Sequence, residues 1–196
     1  MFSESSNIGV IRRSSPAAAR RLACLCCVFF LLTGCVALRG GTPEGSSMFV
    51  SPDGRFQVLM PDDREETIER VGTDAGELET QAVTGRLGDS EVFGVFYTDI
   101  PERAGEIDSE RSFEAAIANA LAASPGLALA YRNQTFAYGG PAVDFTLEAP
   151  DRKVWARVAM VGRRTYLIQH TGPNTPQAAA NYSRLIDTFE VLRKQA

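Results

Sequence analysis

Residues 127–170 read LALAYRNQTFAYGGPAVDFTLEAPDRKVWARVAMVGRRTYLIQH, and this stretch sets the architecture. Three turn signals divide it: Gly139-Gly140-Pro141, Ala149-Pro150-Asp151-Arg152 and Gly162-Arg163-Arg164. The segments between them, 127–138, 142–148, 153–161 and 165–170, read as strands. Alternation is clearest in the second, with Val143, Phe145 and Leu147 on one face and Asp144, Thr146 and Glu148 on the other. Connections this short cannot make the crossover that parallel strands need, so the four strands pair antiparallel.

Working outward, residues 55–60 (RFQVLM) read as a strand that follows the turn Asp53-Gly54 and stops at Pro61. Residues 61–76 are polar and irregular, with a short helical turn over 64–70. Residues 77–87 form a weakly patterned strand, and Gly88-Asp89 connects it to 91–99 (EVFGVFYTD). That segment is rich in β-branched and aromatic residues, which predicts cover on both faces. A helix capped by Asp108 or Ser109 stacks Phe113, Ile117 and Leu121, and Pro125-Gly126 ends it. After the four strands, Thr175-Pro176 opens a second helix with proline at its first position. Its buried stripe is Tyr182, Leu185, Ile186 and Phe189. The order is β-β-β-α-β-β-β-β-α, an α+β class. The simplest solution is one antiparallel sheet of about six to seven strands flanked by helices.

The N-terminal region carries a different message. Arg12, Arg13, Arg20 and Arg21 precede an uncharged apolar run over 22–32, and Leu32-Thr33-Gly34-Cys35 closes it. The string resembles the lipobox of bacterial lipoproteins. In that family a diacylglycerol is placed on the cysteine thiol, a peptidase cuts before it, and the new amine can be acylated. The resemblance implies a removed signal peptide over 1–34, lipidation (palmitate-type chains) at Cys35, and a chain held in the cell envelope. Val36 in place of an aspartate favours the outer membrane. One acyl chain anchors only marginally at about 0.8 kcal/mol per methylene, so the two or three supplied by this modification matter. Two alternatives stay open. The uncharged run over 22–38 is near the lower limit of roughly 17 residues for a spanning helix, and the arginine pairs are compatible with twin-arginine export.

Composition narrows the function. Residues 36–47 (VALRGGTPEGSS) read as a tether from Cys35, reaching at most about 40 Å. The remainder, 48–196, is the length of a single globular domain. The chain has a formal net charge of −4, and loss of the leader removes Arg12, Arg13, Arg20 and Arg21 against only Glu4. So acidic a domain does not suit nucleic acid, where clustered Lys and Arg neutralise phosphates. Cys24, Cys26 and Cys27 leave with the leader and Cys35 is consumed by lipid. The domain then has neither a disulfide nor a thiol nucleophile.

Several strings carry a further resemblance. They are residues 54–61 (GRFQVLMP), 139–145 (GGPAVDF), 161–168 (VGRRTYLI) and 183–189 (SRLIDTF). With the element order, they resemble the PsbP/Mog family of α/β/α sandwiches over most of 49–192. That family includes photosystem extrinsic subunits, a Ran-binding protein and bacterial lipoproteins. The resemblance implies a binding or assembly module rather than an enzyme, with no family-wide catalytic residues to carry over.

The residues offer few sites of their own. His170 is the sole histidine, so any triad would have to use it. It reads as a polar residue at a sheet edge, and one histidine is too few for zinc. Asp62, Asp63, Glu65 and Glu66 lack the oxygen spacing and central glycine of a calcium loop and read as a solvated loop. Arg152-Lys153 and Arg163-Arg164 read as solvated turns, with anion binding as the alternative. Phe96, Tyr97, Trp155 and Tyr166 read as core, or as an aromatic groove for a small apolar ligand or peptide. Neither a catalytic residue nor a cofactor or metal site is assigned. The expected function is a membrane-tethered envelope module that binds a protein or a small apolar ligand. The alternatives are a purely structural lipoprotein, or a hydrolase using carboxylates such as Asp144 and Glu148.

Overall fold

The structure, a computed structural model, describes residues 11–13, 45–51, 53, 55–73 and 76–192. Cys35, the lipobox, the leader cysteines and most of the tether lie outside the described residues. Among those described, no helix is long and apolar enough to cross a membrane.

In chain order the elements are β1 (Ile11–Arg13), β2 (Ser46–Val50), β3 (Phe56–Pro61), β4 (Asp63–Thr73), β5 (Gly76–Leu87) and β6 (Glu91–Asp99). Then come α1 (Ser109–Ala122), β7 (Ala128–Ala137), β8 (Gly140–Glu148), β9 (Arg152–Val161), β10 (Arg164–Pro173), α2 (Pro176–Thr188) and β11 (Glu190–Val191). A large antiparallel sheet runs β1-β4-β5-β6-β10-β9-β8-β7, and a second sheet runs β11-β3-β2. The expected four-strand meander is present as β7 to β10. Both helices are present with their expected caps. The Asp108 carboxylate accepts from the Arg111 N–H, and the Thr175 hydroxyl accepts from the Ala178 N–H.

Register fixes which side chains share a face. Tyr166 lies opposite Ala159 on β9 and Tyr97 on β6, so alternate residues of β9 face away from it. Val143, Phe145, Leu147, Val154, Ala156, Val158 and Met160 form one core face, closed by Phe113 and Ile117 of α1. The opposite face presents Phe93, Val95, Tyr97, Tyr166 and Ile168. Leu185 and Phe189 from the α2 segment and Phe56, Val58 and Met60 of β3 close it. Phe56 sits among Tyr97, Tyr166 and Phe189, with ring centroids 5.5, 6.1 and 5.5 Å away. The two helices therefore pack on opposite faces of the large sheet. The α2 side is shared with a small sheet that the order of elements did not announce.

Three expectations change. Residues 61–76 are not an irregular loop: β4 pairs with β5 from Asp63↔Arg86 to Thr73↔Gly76. Its polar sequence hid it because period-two hydrophobicity reports burial, not pairing. Residues 55–60 do not join the large sheet but pair with β2, whose Ser46 and Ser47 had read as tether. Finally, the β7–β8 turn is Tyr138-Gly139, with φ of 56° and 87°, rather than Gly139-Gly140-Pro141. Positive φ at both positions is the two-residue turn that matches strand twist. Tyr138 holds this conformation while its ring packs on Phe189 at 4.9 Å and its hydroxyl donates to the Ile186 carbonyl at 3.3 Å. Gly140 follows because no side chain fits there: a Cβ would lie 1.7 Å from the Met160 carbonyl oxygen.

Candidate functional site

His170 is not at a sheet edge. It lies on β10, the fifth strand of the large sheet counted from β1 and the fourth counted from β7, fully buried between Phe93 at 4.5 Å and Trp155 at 5.4 Å. Its Nε2 is 2.8 Å from a Glu91 carboxylate oxygen, which also accepts from Asn181 Nδ2 at 2.8 Å. Nδ1 has no partner. Burial depresses the His170 pKa, and Glu91 opposes this only in part. The neutral ring is thus a packed tie between β10, β6 and α2. The sequence could not distinguish it from an edge residue, because a strand end in sequence can still be central in a sheet.

Arg163 and Arg164 are not simple solvated turn residues either: Arg163 is half-buried and Arg164 is buried. Arg163 donates to the carbonyls of Ile100, Gly105 and Pro101, and so holds the segment after β6. Arg164 is 5% exposed. Its guanidinium meets both Asp99 oxygens, at 2.7 and 2.5 Å, and Asp53 at 3.1 Å, and lies 4.8 Å from the Tyr97 ring centre. Burial pulls the Arg164 pKa down, but the bonds and charge of Asp99 outweigh that and hold it above the usual arginine value. In turn Arg164 holds the Asp99 carboxyl below the usual range. A cavity of about 410 Å³ opens beside this cluster, lined by Arg55, Arg164, Tyr166, Val161, Val191 and Leu192 with Asp53. Its lining is mixed rather than purely apolar.

The remaining candidates are dispersed. Asp144 makes two bonds to Arg157, at 2.6 and 2.8 Å, and Glu148 meets Lys153 at 3.0 Å and Asn174 at 2.8 Å. Lys153 and Asn174 lower the Glu148 pKa. Asp63, Glu65 and Glu66 are spaced along β4, while Asp62 accepts from the Ser47 hydroxyl at 2.5 Å. Tyr97, Tyr166 and Trp155 are buried on the α2 face, and the register turns Phe96 to the other face. The four aromatics do not line one groove. Among the described residues, His, Cys, Asp and Glu form no group of three or more able to hold a metal ion.

The feature that sequence reading missed is β7. Leu129, Tyr131 and Phe136 are 43%, 52% and 72% exposed. Among the described residues β7 pairs only with β8. A register shift between Leu129 and Tyr131 leaves 131–137 as the regular run. Ala137 and Gly140 close a two-residue turn, so ladder bonds alternate back from that pair. This directs the N–H and C=O of Phe136, Gln134 and Arg132 away from β8. On the α1 face, Arg132 and Gln134 both bond Glu110, and Glu114 lies 3.8 Å from Arg132. Of ten residues in β7, only Arg132 is charged.

No family model matches the chain, and no curated protein sequence matches it. Among solved structures, the chain is similar to the solution structure of cyanobacterial PsbP (CyanoP) from Synechocystis sp. PCC 6803. The TM-score is 0.49 at 12% identity, covering 82% of this chain and 98% of that one.

Proposed function

We propose that this chain is a lipid-anchored cell-envelope protein that works by holding another chain, not by catalysis, and that β7 is the surface it offers. The observation that carries this reading is an outer strand with outward-facing backbone groups, three exposed large apolar side chains and a single charge. Strand addition uses such a surface: main-chain hydrogen bonds supply affinity and alternate side chains supply selectivity. Lipid on Cys35 would supply the membrane attachment. The hydrolase alternative gains no support, because Asp144 and Glu148 are each engaged with a cation instead of facing one another.

Two measurements test the two halves. With Cys35→Ser, the exported protein should move from the membrane fraction to the soluble fraction; retention on membranes contradicts the anchor. A photo-crosslinking side chain at Phe136 in the full chain should give adducts in cells, and one at Ile68 on β4 should not. Equal yields at both positions contradict a role for β7.

A further inference from the structure

Resting on the strand-addition reading, we propose that the strand received by β7 is β7 of a second copy, antiparallel, with the two-fold axis at Gln134. The regular run 131–137 is centred on Gln134, so this register uses all of it. Directly opposed residues in an antiparallel pair point to the same face. A two-fold perpendicular to the sheet therefore keeps like faces together. The outward-facing groups of Arg132, Gln134 and Phe136 then meet Phe136, Gln134 and Arg132 of the second copy. Every outward N–H in this run finds a C=O, which a partner of different register would not guarantee.

Side chains agree with the backbone. The one charge of the strand, Arg132, falls opposite Phe136 of the other copy instead of opposite itself. The guanidinium can cover a ring that is 72% exposed in one copy. Tyr131 falls opposite Ala137, and Asn133 opposite Thr135, with no like charges in register. Glu110 and Glu114, 45% and 65% exposed, stand beside each Arg132 and supply negative charge at the rim. β4 cannot serve as the occupant on the same terms. It carries six charges in eleven residues, and β1 already borders it at Glu66, Thr67 and Ile68. A contact of seven residues per copy is small, so the pair should be weak in solution and favoured where an anchor concentrates the copies.

The test compares opposite charges at one position. Sedimentation equilibrium of the full chain in detergent should show reversible dimers. In a Glu110→Gln/Glu114→Gln background, which leaves Arg132 without its two carboxylate neighbours, Phe136→Lys places a cation opposite Arg132 twice per dimer and should weaken the dimer by more than about tenfold. Phe136→Glu in the same background places an anion there and should dimerise at least about tenfold more tightly than Phe136→Lys. Both variants sit on an exposed position, and unchanged melting temperatures would exclude unfolding as the cause. A wild-type chain that stays monomeric up to about 1 mM overturns the second copy as occupant. Equal weakening by Lys and Glu overturns the register. Failure of this inference is separable from failure of the strand-addition reading: a monomeric chain whose Phe136 crosslinks to a different protein loses only the second copy.

Discussion

β4 and β7 are the two long outer strands of the same sheet, and they treat their edges in opposite ways. β4 carries Asp63, Arg64, Glu65, Glu66, Glu69 and Arg70 among its eleven residues, and β1 borders it over three positions. β7 carries only Arg132 and exposes Leu129, Tyr131 and Phe136. An edge of unpaired N–H and C=O groups is a template for another strand, and charged side chains are one way to discourage pairing. β4 uses that device. β7 has a register shift near one end but a regular run of seven residues beyond it. On the lipobox reading, β1 leaves with the leader, and charge alone then guards β4. The contrast shows that edge protection is applied strand by strand, and an unprotected edge is informative because its counterpart is protected.

The comparison breaks most completely if β7 loses its seat on β8. Gly140→Ala forces a Cβ to within 1.7 Å of the Met160 carbonyl oxygen. The hairpin must shift, at an expected cost of about 3 kcal/mol by denaturant unfolding. A change below about 0.5 kcal/mol would show that the hairpin yields freely. Asp144→Asn acts beside the same edge. It removes a two-bond carboxylate contact to Arg157 between β8 and β9 and should cost about 1.5 kcal/mol. Unchanged stability with a lost activity would instead favour the hydrolase alternative.

Acid provides a probe that touches the centre of the sheet and neither edge. The folded His170 pKa lies below the unfolded value of about 6.5. Above that pH both states are neutral, and the group contributes no pH dependence. As pH falls below it, the unfolded state takes up the proton first, so stability declines until folded His170 also titrates. His170 should add a slope of at most about 1.4 kcal/mol per pH unit, beginning below about pH 6.5 and above the range where Asp99 and Glu148 add their own, and this contribution should be lost in His170→Gln. An unchanged slope in that variant contradicts a buried neutral ring. The smallest effect sharpens the comparison from the other side. Replacing Glu66, Glu69 and Arg70 of β4 with threonine should give that edge a weak tendency to self-associate, seen as a rise in apparent mass with concentration. No rise would mean that charge is not what guards β4.

Much of this architecture was legible in the sequence. Tight turns and alternation marked β7 to β10, and cap residues marked both helices. The rest was hidden for physical reasons. β4 has no apolar rhythm because an outer strand buries little. The small sheet joins residues 46–50, 56–61 and 190–191, and no local pattern encodes a pairing across that distance. Arg164 and His170 read as surface residues because their partners, Asp53, Asp99, Glu91 and Asn181, come from other elements. The exposure of β7 was nearly within reach. It is the first strand of a meander entered from a helix, so one side of it had no sequential neighbour, and its residues include neither lysine nor proline. Cys35 stands on its sequence context alone.

Hydrogen exchange at β7 tests the central claim most directly. In the dilute full chain the amides of Arg132, Gln134 and Phe136 should exchange quickly, while those of Tyr131, Asn133 and Thr135, bonded to β8, exchange slowly. On concentration the first three should become protected, with no matching change in β4. Fast exchange at every concentration, or protection already complete at the lowest, would contradict a β7 edge that is open in one copy and closed by a second.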